Sequence, residues 1–540
     1  MLVVYAMLAF VMLAPYVIYS GDYGITYVQA RSLAANRFRS PAIDYRGAFL
    51  DPDRRFTPFR PPFVIETRGG LQAIFPPLGI VLAAPFVAIG DFAGMRAVSI
   101  ASAAVIIWGA WRLLERRDAV FPIVLGLATP LWFYAVTESE HAPSVAFAVG
   151  AFVAAARATG WRSAVLAGLL LGVGTSIRDE VGLLLPGLLF GVWLRTRNWE
   201  VVAAALAGML AALAVAAAIE VWWFQRPLAT HLRHAVHLLR RALQLTKARN
   251  PELPELRPLT FQDRYNYVIE YWLLGYGADF AIAAFSALLA IGIAARFVLR
   301  SNLPLVAVAA VFLALTIWDA AALFRDPKWV PGMLRLSPFL LFLVLPVRTD
   351  EPWPWIVRVA LVSVASYVLI ALIAVDTSGG KSLGPRLLLP LLPLAVAASW
   401  TIITSSMRAA RTDARLAGAI GLLLVAIALA IHARATIPAY VPRNDDDRRA
   451  MDTIASAPER VIVADDMFTA QQLLPLYYRR VILLADTPLL GAQLADVLAA
   501  NHIKGALVVS RSTDPRTSLA PFTRVDTVQR GRFKVETWRR

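Results

Sequence analysis

Polar clusters interrupt a chain that is otherwise largely apolar, and their side chains are of types that can do chemistry. Gly21, Asp22, Tyr23 and Gly24 follow directly on the first apolar run. A carboxylate at that depth is costly unless it is used or paired. Asp22 is therefore a candidate general base for an acceptor hydroxyl or a ligand for a divalent cation, and equally a cap for an amphipathic helix expected over 25–36. Glu138, Ser139, Glu140 and His141 form a second cluster. Two carboxylates and an imidazole so close together suit Mg²⁺ or Mn²⁺, or a substrate hydroxyl, and also suit a solvated helix start. Arg178, Asp179 and Glu180 stand between two short apolar stretches, where the guanidinium either meets a lipid phosphate or closes an internal ion pair.

Two further stretches carry cations. His231, His234 and His237 with Arg233, Arg240, Arg241, Lys247 and Arg249 read as a basic interfacial helix, because histidines three apart drift round a helix and do not share one metal. The run Gly379, Gly380, Lys381, Ser382, Leu383, Gly384, Pro385, Arg386 tempts one toward a nucleotide-binding phosphate loop. That motif needs a glycine where Val375 stands, and no strand precedes it. What remains is a glycine-rich loop that either cradles a phosphate with Lys381 and Arg386 or simply turns tightly.

These clusters must be positioned by a membrane scaffold. The 540 residues are 58% hydrophobic and 17% charged, with mean hydropathy +0.60, more than a soluble core can use. Apolar runs near the roughly 20 residues that cross a bilayer recur along 1–436, without the alternation of barrel strands. They predict an α-helical polytopic membrane protein of about 13 spans, at 1–19, 93–114, 119–136, 141–158, 163–177, 180–195, 200–224, 271–296, 303–324, 333–347, 354–375, 386–404 and 415–436. Residues 71–90, broken by Pro76, Pro77 and Pro85, are expected to be re-entrant on the outer face. Fourteen arginines then fall in short inner loops against six basic residues in short outer ones, which sets the orientation. The first run lacks a basic leader and a cleavage site, so it reads as a retained helix. A net charge of +16 is explained by those loops and by anionic headgroups, which leaves no case for a nucleic-acid partner. The chain has no cysteine, so thiolate chemistry and disulfides are excluded.

Outer loops are expected at 20–70 and 225–270, and a small extracytoplasmic α/β domain at 440–540. In that domain 460–465, 481–485 and 506–510 read as buried strands, separated by helices over 469–477 and 489–501, which predicts a parallel sheet.

Several of these features together resemble the GT-C superfamily of membrane glycosyltransferases, in the branch of protein mannosyltransferases and aminoarabinose transferases. The resemblance rests on Gly21-Asp22-Tyr23; on Phe75-Pro76-Pro77-Leu78 with Pro85, Gly90, Arg96 and Ser99; on Gly168, Gly172 and Arg178; and on Gly379-Gly380 with Gly384-Pro385-Arg386. It covers most of 1–436. It implies a polyprenyl-phosphate sugar as donor, and an acceptor that is a glycan, a lipid or a protein. Asp22 would be the catalytic base for inversion at the anomeric carbon, Arg178, Lys381 and Arg386 would hold the leaving phosphate, and Tyr23 would bind substrate. Glu138 and Glu140, with His141, look like the acidic pair that metal-dependent branches carry, though other branches need no metal. Many relatives place a second acid beside the first, where Tyr23 stands here. The expected function is transfer of a sugar at the outer face of a bacterial plasma membrane. Its rivals are a transporter or flippase of lipid-linked sugars and a non-catalytic docking protein.

Overall fold

The computed structural model describes residues 1–13, 17–18, 21–61, 63–137, 140–226, 260–275, 279–326, 332–349, 352–374, 383–511 and 517–540. The helices include, in chain order, α1 (Leu2–Met12), α2 (Gly21–Ala35), α3 (Pro77–Leu113), α4 (Phe121–Leu127), α5 (Leu131–Val136), α6 (His141–Ala156), α7 (Trp161–Ile177), α8 (Leu185–Thr196), α9 (Trp199–Ala218), α10 (Asp279–Leu299), α11 (Leu303–Arg325), α12 (Trp355–Ala374), α13 (Leu392–Arg408), α14 (Thr412–Ile431) and α15 (Ile437–Ser456), and two more, Met467–Gln472 and Pro488–Ala500, lie between strands of the carboxyl-terminal domain. Among the described residues five helical stretches are long and apolar enough to cross a bilayer: Pro77–Leu113, Trp199–Trp223, Leu303–Arg325, Trp355–Ile373 and Thr412–Ser456. The chain is a multi-pass membrane protein built on helices.

Several expected spans are less regular than hydropathy implied. The stretch predicted at 119–136 is two short helices, α4 and α5, separated around Thr129 and Pro130. Pro130 has no N–H to offer the Gly126 carbonyl, and the Tyr5 hydroxyl of α1 donates to that carbonyl instead, at 2.8 Å. The stretch predicted at 333–347 is one turn, Met333–Leu336, followed by a 3₁₀ segment, Pro338–Leu343, buried on all sides. Such broken backbone is tolerated at depth because protein surrounds it; the Ser337 hydroxyl donates to the Ala128 carbonyl. α3 is not straight either. Asp91 has φ 53°, and a methyl added to Gly94 would lie 2.0 Å from the Phe86 carbonyl oxygen, so the chain doubles back into a helical hairpin at this point. Its first limb occupies the region 71–90 that was expected to be re-entrant.

The segment between α2 and α3 carries a small hairpin, β1 (Val64–Thr67) paired with β2 (Gly70–Ala73). Gly70, at φ +95°, makes the turn that a side chain would strain. Gln72 and Arg226 latch this hairpin to the end of α9: Gln72 Nε2 donates to the Phe224 carbonyl at 2.7 Å, and Arg226 donates to the Ala73 carbonyl at 2.7 Å.

The carboxyl-terminal domain departs from the expected purely parallel sheet. Its strands are β3 (Val461–Ala464), β4 (Val481–Leu484), β5 (Gly505–Ser510), β6 (Thr523–Arg530) and β7 (Phe533–Arg539), in the order β4-β3-β5-β7-β6. β3 pairs in parallel with β4 and β5 as predicted, but β6 and β7 add an antiparallel hairpin at the edge. β6 was hidden because it is exposed and polar, with no apolar run to mark it. Nor does a linker separate the two parts: helix continues from Thr412 through the Arg443–Arg449 stretch to Ser456.

Two apolar cores result. One lies inside the helix bundle. The other joins α2, the loop between α2 and α3, and the start of α3 to the carboxyl-terminal domain, with Tyr27, Ile43, Phe56 and Phe59 in one cluster with β3, β4 and Tyr477. The first loop and the domain thus fold as one body over the end of the bundle.

Candidate active site

α2 begins at Gly21, so Asp22 lies in its first turn and its carboxylate faces the bundle. There it meets Arg386, 364 residues away, at 2.6 Å. Arg386 is set by the tight turn at Gly384, at φ +66°, where a methyl would touch Leu336 and Pro130. Both side chains are nearly buried, at 11% and 15% exposed. Burial pushes the Asp22 carboxyl up, but Arg386, Arg178 and the Arg386 hydrogen bond outweigh it and hold the carboxyl below its ordinary value.

Around this pair lie the other predicted groups. Arg178 caps α7, which ends where its carbonyl-lined turn meets the 3₁₀ segment Asp179–Leu184. Its guanidinium reaches Glu180 at 3.1 Å and Glu140 at 3.9 Å. His141 Nδ1 lies 3.0 Å from the same Glu180 oxygen, Oε1, that Arg178 reaches. Glu140 precedes α6 and accepts a short hydrogen bond from the Thr26 hydroxyl. Burial pushes the Glu140 carboxyl up to about 7, against the pull of Arg178 and Thr26. Tyr23 is buried beside Arg386. Two guanidiniums and three carboxylates therefore form one cluster of largely buried charges at one end of the bundle.

The sequence clusters at 22, 140–141, 178–180 and 386 thus converge. Glu138 and Ser139, the glycine-lysine stretch with Lys381, and His231, His234 and His237 with their basic neighbours lie outside the described residues. Thr26 was not singled out, although it stands four residues after Asp22 and so on the same helix face, a spacing that could have revealed it. Tyr367 was also missed; buried in α12, its hydroxyl donates to the Leu387 carbonyl next to Arg386. No sequence signal marks it. Arg96, expected within the resemblance, is buried elsewhere: it donates to the Ala9 carbonyl at 2.8 Å, beside the π-helical turn that frees the backbone of α1.

Two atoms in the cluster have capacity to spare. Arg386 Nε and Glu140 Oε2 are buried and make no hydrogen bond to any described residue. Among the described residues no three His, Asp or Glu side chains converge as a metal site would require. Glu140 is engaged by Thr26, and the His141 ring faces Glu180. The described donor set does not fit a divalent cation, and no step is derived through one.

The polar cluster opens onto an apolar groove of 690 Å³. Thr26 and Glu140 form its polar end, with Gly79 and Ile177 beside them. From there it runs between the two limbs of α3 and along α6, walled by Leu82, Phe86, Val98 and Phe147. Gly79 leaves room at this end, since a methyl there would press on the Ile177 side chain at 3.2 Å and touch Glu140 at 3.8 Å.

No family model matches the sequence, and no curated protein does. Among solved structures the chain is similar to ArnT from Cupriavidus metallidurans. In the apo state the TM-score is 0.45 at 16% identity, covering 99% of this chain and 97% of that one. In the form bound to undecaprenyl phosphate it is 0.46 at 15% identity, covering 99% and 96%.

Proposed function

We propose that the chain is an inverting glycosyltransferase that moves a sugar from a polyprenyl-phosphate donor to an acceptor at the outer face of the plasma membrane. The observation that carries this reading is the continuity of an arginine-carboxylate cluster with an apolar groove at Glu140 and Thr26. A lipid-linked sugar phosphate has the same two parts, an anionic head on a long apolar tail.

The chemistry follows from that match. Arg386 and Arg178 would take the donor phosphate, and two guanidiniums around a phosphodiester both orient it and stabilise the charge that grows as it leaves. Arg386 would then be drawn from Asp22 to the phosphate, and loss of its counter-ion makes Asp22 a better base. The acceptor oxygen attacks the anomeric carbon from the face opposite the phosphate, the carbon–oxygen bond to phosphate breaks, and Asp22 receives the acceptor proton. The carboxyl-terminal domain would stand at the outer face over the site. Cleavage of the bond between sugar and phosphate, with a carboxylate at Asp22 to take the acceptor proton, is what separates this reading from a flippase of lipid-linked sugars.

Transfer from radiolabelled polyprenyl-phosphate sugars to membrane acceptors tests it, comparing the unmodified chain with Asp22→Asn. The expected result is transfer that falls at least about a hundredfold in the variant while donor binding persists. Unchanged transfer in Asp22→Asn removes the base; donor movement across vesicles with no transfer makes the chain a flippase.

A further inference from the structure

The arginines at the end of the bundle opposite Asp22 play no part in the function proposed above. The second limb of α3 leads from the groove at Met95 to Leu113, and α13, which follows Arg386, leads to Arg408. Between them lies a cleft of 240 Å³ lined by Arg116, Arg117 and Arg408, with Trp400, Thr404 and Ser405 on its wall. Trp400 is 4% exposed, and its Nε1 has no acceptor among the described residues. A second cleft, of 380 Å³, adjoins the first, shares Glu115 and Pro354 with it, and is lined by Arg195, Arg197 and Arg358.

These side chains are organised, not a loose fringe of charge. Arg117 lies over the Trp111 ring at 5.5 Å, Arg197 over Trp193 at 4.3 Å and Arg195 over Trp355 at 5.8 Å. Arg358 donates to the Trp353 carbonyl at 2.8 Å. Stacking on indole restrains a guanidinium while leaving its edge donors directed outward. Tryptophans in such numbers mark headgroup depth. The acids in the two clefts are Glu115 and Asp118, and Asp118 is partly engaged by the Val120 N–H. Basic pockets between helix ends at headgroup depth are suited to phosphate-bearing lipid heads.

We propose that the paired clefts are a binding site for the phosphodiester headgroup of an anionic phospholipid, separate from the site at Asp22. One cleft takes the first phosphate, with Arg116, Arg117 and Arg408 as donors. A diphosphate lipid places its second phosphate in the neighbouring cleft across Pro354.

Native mass spectrometry of the full chain in detergent tests this, with phosphatidylglycerol and cardiolipin as probes and phosphatidylcholine as the zwitterionic reference. Three forms are compared: the unmodified chain, the cleft variant Arg116→Gln/Arg117→Gln/Arg408→Gln, and Arg162→Gln/Arg300→Gln/Arg415→Gln, which removes the same charge from exposed arginines lining neither cleft. The expected result is that anionic-lipid adducts fall at least about tenfold in the cleft variant and persist in the other. Arg408→Gln alone serves if the triple variant does not purify, and is expected to weaken the adducts in the same direction. Equal loss in both triple variants assigns the effect to diffuse charge and overturns the site. Displacement of the adducts by excess inorganic phosphate also overturns it, because the clefts would then bind free phosphate.

Discussion

Asp22 is pulled two ways, up by burial and down by two guanidiniums, and the balance has a kinetic consequence. Arg386 is the strongest of the groups that lower it. Arg386→Gln removes a cation, so the carboxyl titrates at higher pH and the base is protonated where it was free. The acid limb of the pH–rate profile for transfer is expected to move upward in that variant; a limb that stays in place removes the coupling. Glu140 responds in the opposite sense. Its carboxyl stands at about 7 against an ordinary 4.5, so between those values the folded chain holds a proton that the unfolded chain has released. Stability falls as pH rises through that window, by at most about 3 kcal/mol. Glu140→Gln carries no such proton, and thermal unfolding across pH 4.5 to 7 is expected to show a slope in the unmodified chain that the variant lacks. The residue types at these positions were legible in the sequence, because an acid or arginine beside a membrane helix needs a reason. Their pairing across 364 residues was not, since nothing in local spacing tells which distant guanidinium Asp22 will meet.

At the scale of elements, hydropathy reports that a stretch is apolar and not whether it is a straight helix. It marked α6, α7, α9 and α11 well, because these are regular and uniformly apolar. It missed the breaks in 119–136 and 333–347, where buried backbone is satisfied by neighbours that no linear reading identifies. Close approach of helices is written more openly, in small residues spaced four apart. Gly168 and Gly172 of α7 lie against α9: a methyl on Gly168 would come within 1.8 Å of the Ala205 carbonyl oxygen, and one on Gly172 within 2.7 Å of the Met209 carbonyl oxygen. α7 ends at Arg178, so its distance from α9 sets where that guanidinium stands. Gly168→Ala is expected to force the two helices apart, at a cost of about 1–3 kcal/mol. Lowered melting temperature together with a raised KM for the lipid donor would be the sign of it. A variant that melts normally and turns over normally would show that α7 does not position Arg178.

Over the whole molecule, α2, the loop that follows it and the carboxyl-terminal domain form one core above the bundle, with Tyr478 bonded to Ser32 at 2.6 Å and Tyr477 to the Asp44 carbonyl at 2.7 Å. That body holds α2, and α2 carries both Asp22 and Thr26, so the polar end of the site is fixed from above while the apolar groove is fixed by the bundle below. A substrate that fits must satisfy both halves at once. The groove half can be tested alone. Ala97 and Ala101 are exposed residues one helical turn apart on the second limb of α3, and both line the groove. A tryptophan at 101 would fill space that a polyprenyl tail would use, without disturbing the buried core or any charged side chain of the cluster. Ala101→Trp is expected to raise the KM for a long-chain donor about tenfold or more and to leave a short-chain, water-soluble donor analogue unaffected, because only the former buries its tail there. A loss that falls equally on both donors would place the damage in the polar cluster. No loss on either would mean that the tail runs elsewhere along the bundle.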